Sequence, residues 1–222
     1  MTTPAIPRRL TRLPALLRHG LLWHEALQFA AAKGLVVRPL DFFRVDLADH
    51  TAAPPPPLPQ GLQIAELGPR DMVPLDRLER RRVTAADLRR RLDDRHRCFA
   101  LIDGNQVASF VWFDFRWLHF EPCRRPLTAN EAYLYDLHTL ERYRGQGLAA
   151  LLRAHTDAVL GAQGIRVVLT VTDSLNRPAI RAQQRCNARR VGRLLHVNVL
   201  GLQHTWTLQW SDAPATAAPV PA

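Results

Sequence analysis

A strand-to-helix junction in the second half of the chain constrains its fold most. Residues 132–140 read as a strand and 146–163 as a helix ended by Gly164, joined by Glu141-Arg142-Tyr143-Arg144-Gly145. A strand leading at once into a long helix with an apolar stripe commits the chain to layers, with a helix laid on a sheet. Gly145 and Gly147 let the main chain approach a ligand closely. The first helical turn then directs unpaired amides and a positive dipole end toward one point. With Arg142 and Arg144 alongside, this is an anion cradle that suits phosphate groups without a lysine. Its spacing is not that of a nucleotide P-loop, which requires Gly-Lys-Ser/Thr. Nor is it the three-glycine dinucleotide fingerprint, since Ala150 takes the third glycine position.

The pattern around the junction mixes strands and helices. Strands are expected over 63–67, 97–102, 106–113, 132–140, 165–172, 188–195 and 203–210, with Asp103-Gly104-Asn105 as a hairpin turn. Helices are expected over 71–79, 84–93 with Thr84 as N-cap, 146–163 and 176–187. An aromatic and basic stretch over 116–130 reads as irregular. Upstream, apolar positions at three-to-four spacing over 13–33 indicate an amphipathic helix within an N-terminal extension, residues 1–51. The run Pro54-Pro55-Pro56-Pro57 lacks amide donors and marks 52–60 as a stiff linker. A domain over 61–210 follows, and the Pro- and Ala-rich tail 211–222 is expected to be disordered.

The formal charge of +10 invites a nucleic-acid reading, yet Lys33 is the only lysine and the arginines are spread along the chain, which argues against it. An anionic-membrane role for the N-terminal helix stays as an alternative, but no apolar run is long enough to span a bilayer. Three cysteines without a Cys-x-x-Cys pair suggest neither a metal site nor a disulfide framework, which fits a reducing, cytoplasmic setting.

In this context Arg142-x-x-Gly145-x-Gly147, followed by Leu148 and Ala149, resembles the coenzyme A loop of the GNAT superfamily of N-acetyltransferases. Asn176-x-x-Ala179-Ile180 is similar to the motif that follows the family's fifth strand, and Tyr133 to Thr139 looks like its fourth. The resemblance covers 61–210. It implies an α+β fold, with a central mixed, mostly antiparallel sheet flanked by helices, and acetyl-CoA or another acyl-CoA as donor. It further implies that Arg142, Arg144, Gly145, Gln146, Gly147, Leu148 and Ala149 hold the pyrophosphate. Leu137 and Thr139 would pair through their backbones with the acyl and pantetheine part, and Asn176 would line the groove. The implied reaction is acyl transfer to a small-molecule amine; a non-catalytic acyl-CoA sensor is the alternative, and a homodimer is compatible with either.

The family's usual acid and base are not carried over. The position of its strand Glu is Tyr135 and that of its helical Tyr is Gln183, a neutral amide. Strand alternation puts Glu131, Tyr133 and Tyr135 on one face and Asp136 and His138 on the other. Tyr135 is then the candidate orienter or proton relay and Glu131 a water-linked base, with Cys186 as an alternative donor. Trp117, His119, Phe120, Arg124 and Arg125 in the 115–130 insert would suit a sugar-like or anionic acceptor amine.

Overall fold

The structure is a computed structural model that describes residues 35–47, 54–71, 83–120 and 123–210. Its strands are β1 (Leu35–Asp46), β2 (Leu62–Leu67), β3 (Arg97–Asp103), β4 (Gln106–Asp114), β5 (Trp117–Phe120), β6 (Cys123–Pro126), β7 (Glu131–Thr139), β8 (Val167–Asp173), β9 (Arg189–Val199) and β10 (Leu202–Trp210). The helices are α1 (Ala85–Asp93), α2 (Leu148–Ala162) and α3 (Arg177–Arg185). Eight strands form one sheet in the order β10-β9-β1-β8-β7-β4-β3-β2, and β5 and β6 form a separate hairpin. Within the large sheet only β7 and β8 are parallel. The expected α+β architecture with a mostly antiparallel mixed sheet is the one found.

Local chemistry places most elements where their residues predict them. Thr84 and Asp87 form a reciprocal capping box that starts α1, and Leu88 anchors that helix under β3 and β4. Along α2, Leu148, Leu152 and Leu160 recur on one face and bury against Phe99, Leu101, Val111 and Phe113 of β3 and β4. Between them, α1 and α2 cover opposite sheet faces, because successive strand residues face opposite ways.

Two elements differ from the expectation. The first is β1, a strand of twelve residues drawn from the expected N-terminal extension and inserted between β8 and β9. Leu40, Phe42, Phe43 and Val45 are buried there. Pro39 breaks the strand signal, since proline cannot donate to a ladder. A bulge at Phe42/Phe43 further disrupts the alternation. The structure thus moves the boundary: the sheet begins upstream of the proline run. That run does not separate two bodies, because the Pro56 carbonyl accepts from His155 Nε2 on α2 at 2.8 Å and Leu58 packs on the main core. The second difference is the β5–β6 hairpin, which gives regular pairing to the stretch expected to be irregular.

The helix expected over 13–33, the tail 211–222 and all but the first residue of the helix expected over 71–79 lie outside the described residues. No helix among the described residues is long and apolar enough to cross a membrane.

Two irregularities in β7 shape the centre of the sheet. Its parallel pairing with β8 covers only Glu131 to Leu134, opposite Val167 to Thr170. Beyond that point Val171 to Asp173 pair only with β1, so β7 and β8 diverge and leave a cleft. On its other edge β7 carries an extra residue: Trp112 pairs with Tyr135 but Phe110 pairs with His138. This is a β-bulge, and Asp136 sits in it with φ +55°. Arg91 holds the Asp136 carboxylate at 2.8 Å. The bulge corrects the expected strand parity. Tyr135 and His138 lie on the same face, against Trp112 and Phe110, instead of on opposite faces.

Candidate active site

The cleft between β7 and β8 has a volume of about 390 Å³, and Tyr133, Tyr135, Leu137, Thr170, Asn176 and Gln183 are on its walls. Leu140 N–H bonds to Ala108 of β4 and the His138 carbonyl accepts from Ser109 Oγ, whereas the Thr139 carbonyl turns to Arg144 Nε at 3.2 Å. By alternation, the Leu137 and Thr139 backbones therefore share the edge that faces the cleft. Asn176 caps α3 by accepting from Ala179 N–H at 3.2 Å.

At the C-terminal end of β7 the chain makes a short 3-10 turn, Glu141–Tyr143, and reaches Gly145 and Gly147, with φ +79° and +77°. A Cβ at either glycine would meet nothing within 4 Å, so the space above the loop is open. Helix α2 begins at Leu148, and the first amides with an acceptor in its ladder are those of Ala150 and Leu151, both bonded to the Gly147 carbonyl. The amides of Gly147, Leu148 and Ala149 have no acceptor among the described residues. That is the donor set a pyrophosphate requires. The charged flank is arranged differently from a symmetric clamp: Arg142 stacks on Tyr143 and bonds Gln106, and Tyr143 is tied to Asp103 at 2.8 Å.

At the other end of the cleft, four polar side chains form a chain. Asp114, almost fully buried, accepts at Oδ1 from the amides of Arg116 and Trp117, at 2.7 and 3.1 Å. Its Oδ2 lies 2.9 Å from His119 Nδ1 and 3.2 Å from His96 Nε2. His96 Nδ1 is 2.6 Å from the Tyr135 hydroxyl. One proton assignment satisfies all three contacts: both imidazoles donate to Asp114, and Tyr135 donates to His96. Burial alone would raise the Asp114 pKa, but the hydrogen bonds from His119, His96 and the two amides outweigh it and hold the carboxyl well below the usual range. Burial pushes the Tyr135 hydroxyl well above its ordinary value, so it keeps its proton.

A strand-to-helix amide cradle at the foot of a split sheet is now joined by a match in sequence: the acetyltransferase (GNAT) family profile covers residues 63–188. The chain belongs to the acetyltransferase (GNAT) family. No curated protein sequence matches this family member. Among solved structures, it is similar to a tandem GNAT protein from the clavulanic acid biosynthesis pathway, at 20% identity and TM-score 0.55, covering 83% of this chain and 59% of that one. A GCN5-related N-acetyltransferase from Sphaerobacter thermophilus aligns at 17% identity and TM-score 0.54, covering 86% of this chain and 59% of that one. A putative GNAT acetyltransferase from Novosphingobium aromaticivorans aligns at 22% identity and TM-score 0.51, covering 74% and 66%. The chain thus spans under two thirds of the length of several of these structures, and at such identities the likeness concerns fold.

The GNAT fold brings the expected residues to different places. Tyr135, Leu137 and Asn176 line the cleft together, and Thr139 and residues 144–149 follow Leu137 along the chain, at the end of β7 and the start of α2. Leu148 contributes its amide there, while its side chain is core. Glu131 is elsewhere. Arg125 grips it through both terminal guanidinium nitrogens at 2.9 and 3.0 Å, and the Thr128 amide adds a third bond. Burial would raise its pKa, but these contacts lower it below the ordinary value, which weakens it as a proton acceptor. Gln183 is buried on the cleft wall. Burial raises the Cys186 thiol pKa, making it a poor nucleophile. Sequence reading missed the grouping of His96, Asp114 and His119. They come from the loop before β3, from β4 and from β5, so no spacing signals them; His119 alone stood out, as one of several rings in the insert.

Proposed function

We propose that this GNAT protein is an acyl-CoA-dependent N-acyltransferase, with acetyl-CoA as the simplest donor and a small-molecule primary amine as acceptor. One observation carries the reading. The strand whose Tyr135 and Leu137 line the cleft, and whose Tyr135 meets a cluster of proton-handling side chains, runs on through a short turn into the cradle where the amides of Gly147, Leu148 and Ala149 have no acceptor among the described residues. In this proposal the amides of Gly147, Leu148 and Ala149 hold the donor's pyrophosphate, and the cleft-facing backbones of Leu137 and Thr139 align its pantetheine arm. The bound donor supplies an acyl thioester. Tyr135 orients the acyl end and, through His96, connects it to the Asp114 carboxylate. Glu131, held by Arg125, braces the start of β7 in this reading and is not a water-linked base. A non-catalytic acyl-CoA sensor would need the cradle but not the buried Asp114-His96-Tyr135 chain, which favours transfer. A cytoplasmic setting belongs to the same proposal, supported by Cys98 and Cys186, neither of which forms a disulfide among the described residues.

Calorimetric titration of acetyl-CoA into the full chain and into Gly147→Val tests the donor site. At φ +77° a β-branched residue is strained and must reshape the loop. The expected result is saturable binding by the parent and loss of at least tenfold in affinity for a variant that keeps its circular dichroism spectrum. Equal affinities in the two proteins would contradict the cradle.

A further inference from the structure

A second cavity, of about 300 Å³, opens beside the cleft, walled by Asp94, His96, Asp114, Arg116, Trp117, His119 and Arg124. His119 is on the wall of both cavities, so its ring stands where they meet. Its side chain is 37% exposed, whereas Asp114 beneath it is 2% exposed. With Nδ1–H donated to Asp114, the other ring nitrogen, Nε2, is an acceptor with no hydrogen-bond partner among the described residues. This is the arrangement of an oriented imidazole base, with a carboxylate that fixes the tautomer and stabilises the imidazolium once it forms.

The cavity's other wall is cationic. Arg124 stacks on Trp117 with its guanidinium carbon 4.6 Å from the ring centroid, which presents the guanidinium edge instead of burying it in an ion pair. Neither Arg124 nor Arg116 has a carboxylate partner among the described residues. Elsewhere the chain's arginines are commonly engaged, as in Arg91–Asp136, Arg97–Glu66, Arg125–Glu131 and Arg193–Asp41. Of the two wall carboxylates, Asp114 already serves two imidazoles, which leaves Asp94 to attract an ammonium group.

We propose that this cavity seats the acceptor, that the acceptor is an amine carrying a phosphate or carboxylate bound by Arg116 and Arg124, and that His119 is the general base. The inference rests on the acyl-transfer reading above and names its acceptor and its base. The ammonium group that Asp94 attracts first gives one proton to solvent; the neutral amine nitrogen then forms the bond to the acyl carbon, and the carbon–sulfur bond breaks with its electron pair on sulfur. The second proton lost from nitrogen passes to His119 Nε2 and then through cleft solvent to the thiolate, so the products are free thiol, amide and one proton released to solvent. Asp114 and His96 position these groups without touching the amine.

Free-thiol release from acetyl-CoA, measured with the full chain on matched amines, tests the proposal. The pairs are glucosamine 6-phosphate with glucosamine, O-phosphoethanolamine with ethanolamine, and β-alanine with propylamine; the first two probe phosphate and the third carboxylate. The expected result is a preference in kcat/KM for the anionic member of at least one pair, which falls by about tenfold in Arg124→Gln or Arg116→Gln. The second arm is the pH profile of kcat. His119 is faced by Asp114 from β4, by His96 ahead of β3, and by Tyr133 and Tyr135 from β7. In the parent, kcat rises with pH as an imidazole loses its proton. His119→Asn, which can still donate to Asp114, should lose that limb and roughly 100-fold in kcat. Turnover with no preference, or a preference untouched by both arginine changes, overturns the acceptor class. An unaltered pH limb in His119→Asn overturns the base. Either failure leaves acyl transfer standing, whereas thiol release with none of the six amines overturns acyl transfer itself.

Discussion

Glu131 and His119 show how environment decides the role of a residue. Both border the same strand region, yet one carboxylate is committed to Arg125 and the Thr128 amide, while one imidazole nitrogen has no partner among the described residues, at a cavity boundary. Removing the charge of Glu131 leaves the largely buried Arg125 without its partner, so Glu131→Gln should destabilise the fold by about 3 kcal/mol at neutral pH. Because the folded-state pKa of Glu131 is depressed, its contribution is present above about pH 4, where the unfolded carboxyl ionises, and is lost as pH falls through the lower folded value. Thermal melts of both proteins at pH 7 and pH 3 check this: the gap in Tm should narrow at pH 3. A gap of constant size would mean that the Arg125 pair does not set the carboxyl pKa. Residue-level chemistry of this kind was only half legible in the sequence. The departures at Tyr135 and Gln183 were visible, because they are mismatches at defined motif positions. The cluster of His96, Asp114 and His119 was not, since these residues meet only when β3, β4 and the β5–β6 hairpin fold together.

At the scale of elements, the cradle was the most legible feature because it is wholly local. Glycines at 145 and 147, a strand before them and an apolar-striped helix after them suffice to specify it, and in the structure Gly145 and Gly147 take left-handed backbone, which glycine adopts readily. The cleft was illegible for the opposite reason. It depends on β7 leaving β8 after Leu134 and on an extra residue at Asp136, and neither follows from a period-two pattern. Asp136 occupies φ +55°, a conformation that asparagine and aspartate tolerate better than most residues, and its carboxylate is secured by Arg91. The bulge is thereby built into β7 itself, and it turns Tyr135 and His138 to one face where simple alternation would divide them.

For the whole molecule, the main difference from the sequence reading is β1. A proline run looked like a boundary, so the sheet seemed to start near residue 61. In fact β1 lies between β8 and β9 with Leu40, Phe42, Phe43 and Val45 buried. Burying four such side chains contributes on the order of 8 kcal/mol, comparable to the total stability of an ordinary domain. A chain starting at residue 61 should therefore lose its cooperative thermal transition, and a sharp melt near the Tm of the full chain would contradict the role assigned to β1. The same architecture ties fold to function: β1 pairs with Val171 to Asp173 and so holds β8 away from β7 along the cleft. In the proposed function this cleft carries an acyl group from a cradled donor to an amine. Following the full chain with acetyl-CoA and glucosamine 6-phosphate, with free thiol and N-acetylated amine quantified in the same samples, tests it most directly. The expected result is that the two products appear together in equal amounts and only when the amine is present. Thiol release that is independent of amine, or no release by a chain that binds acetyl-CoA, would contradict it.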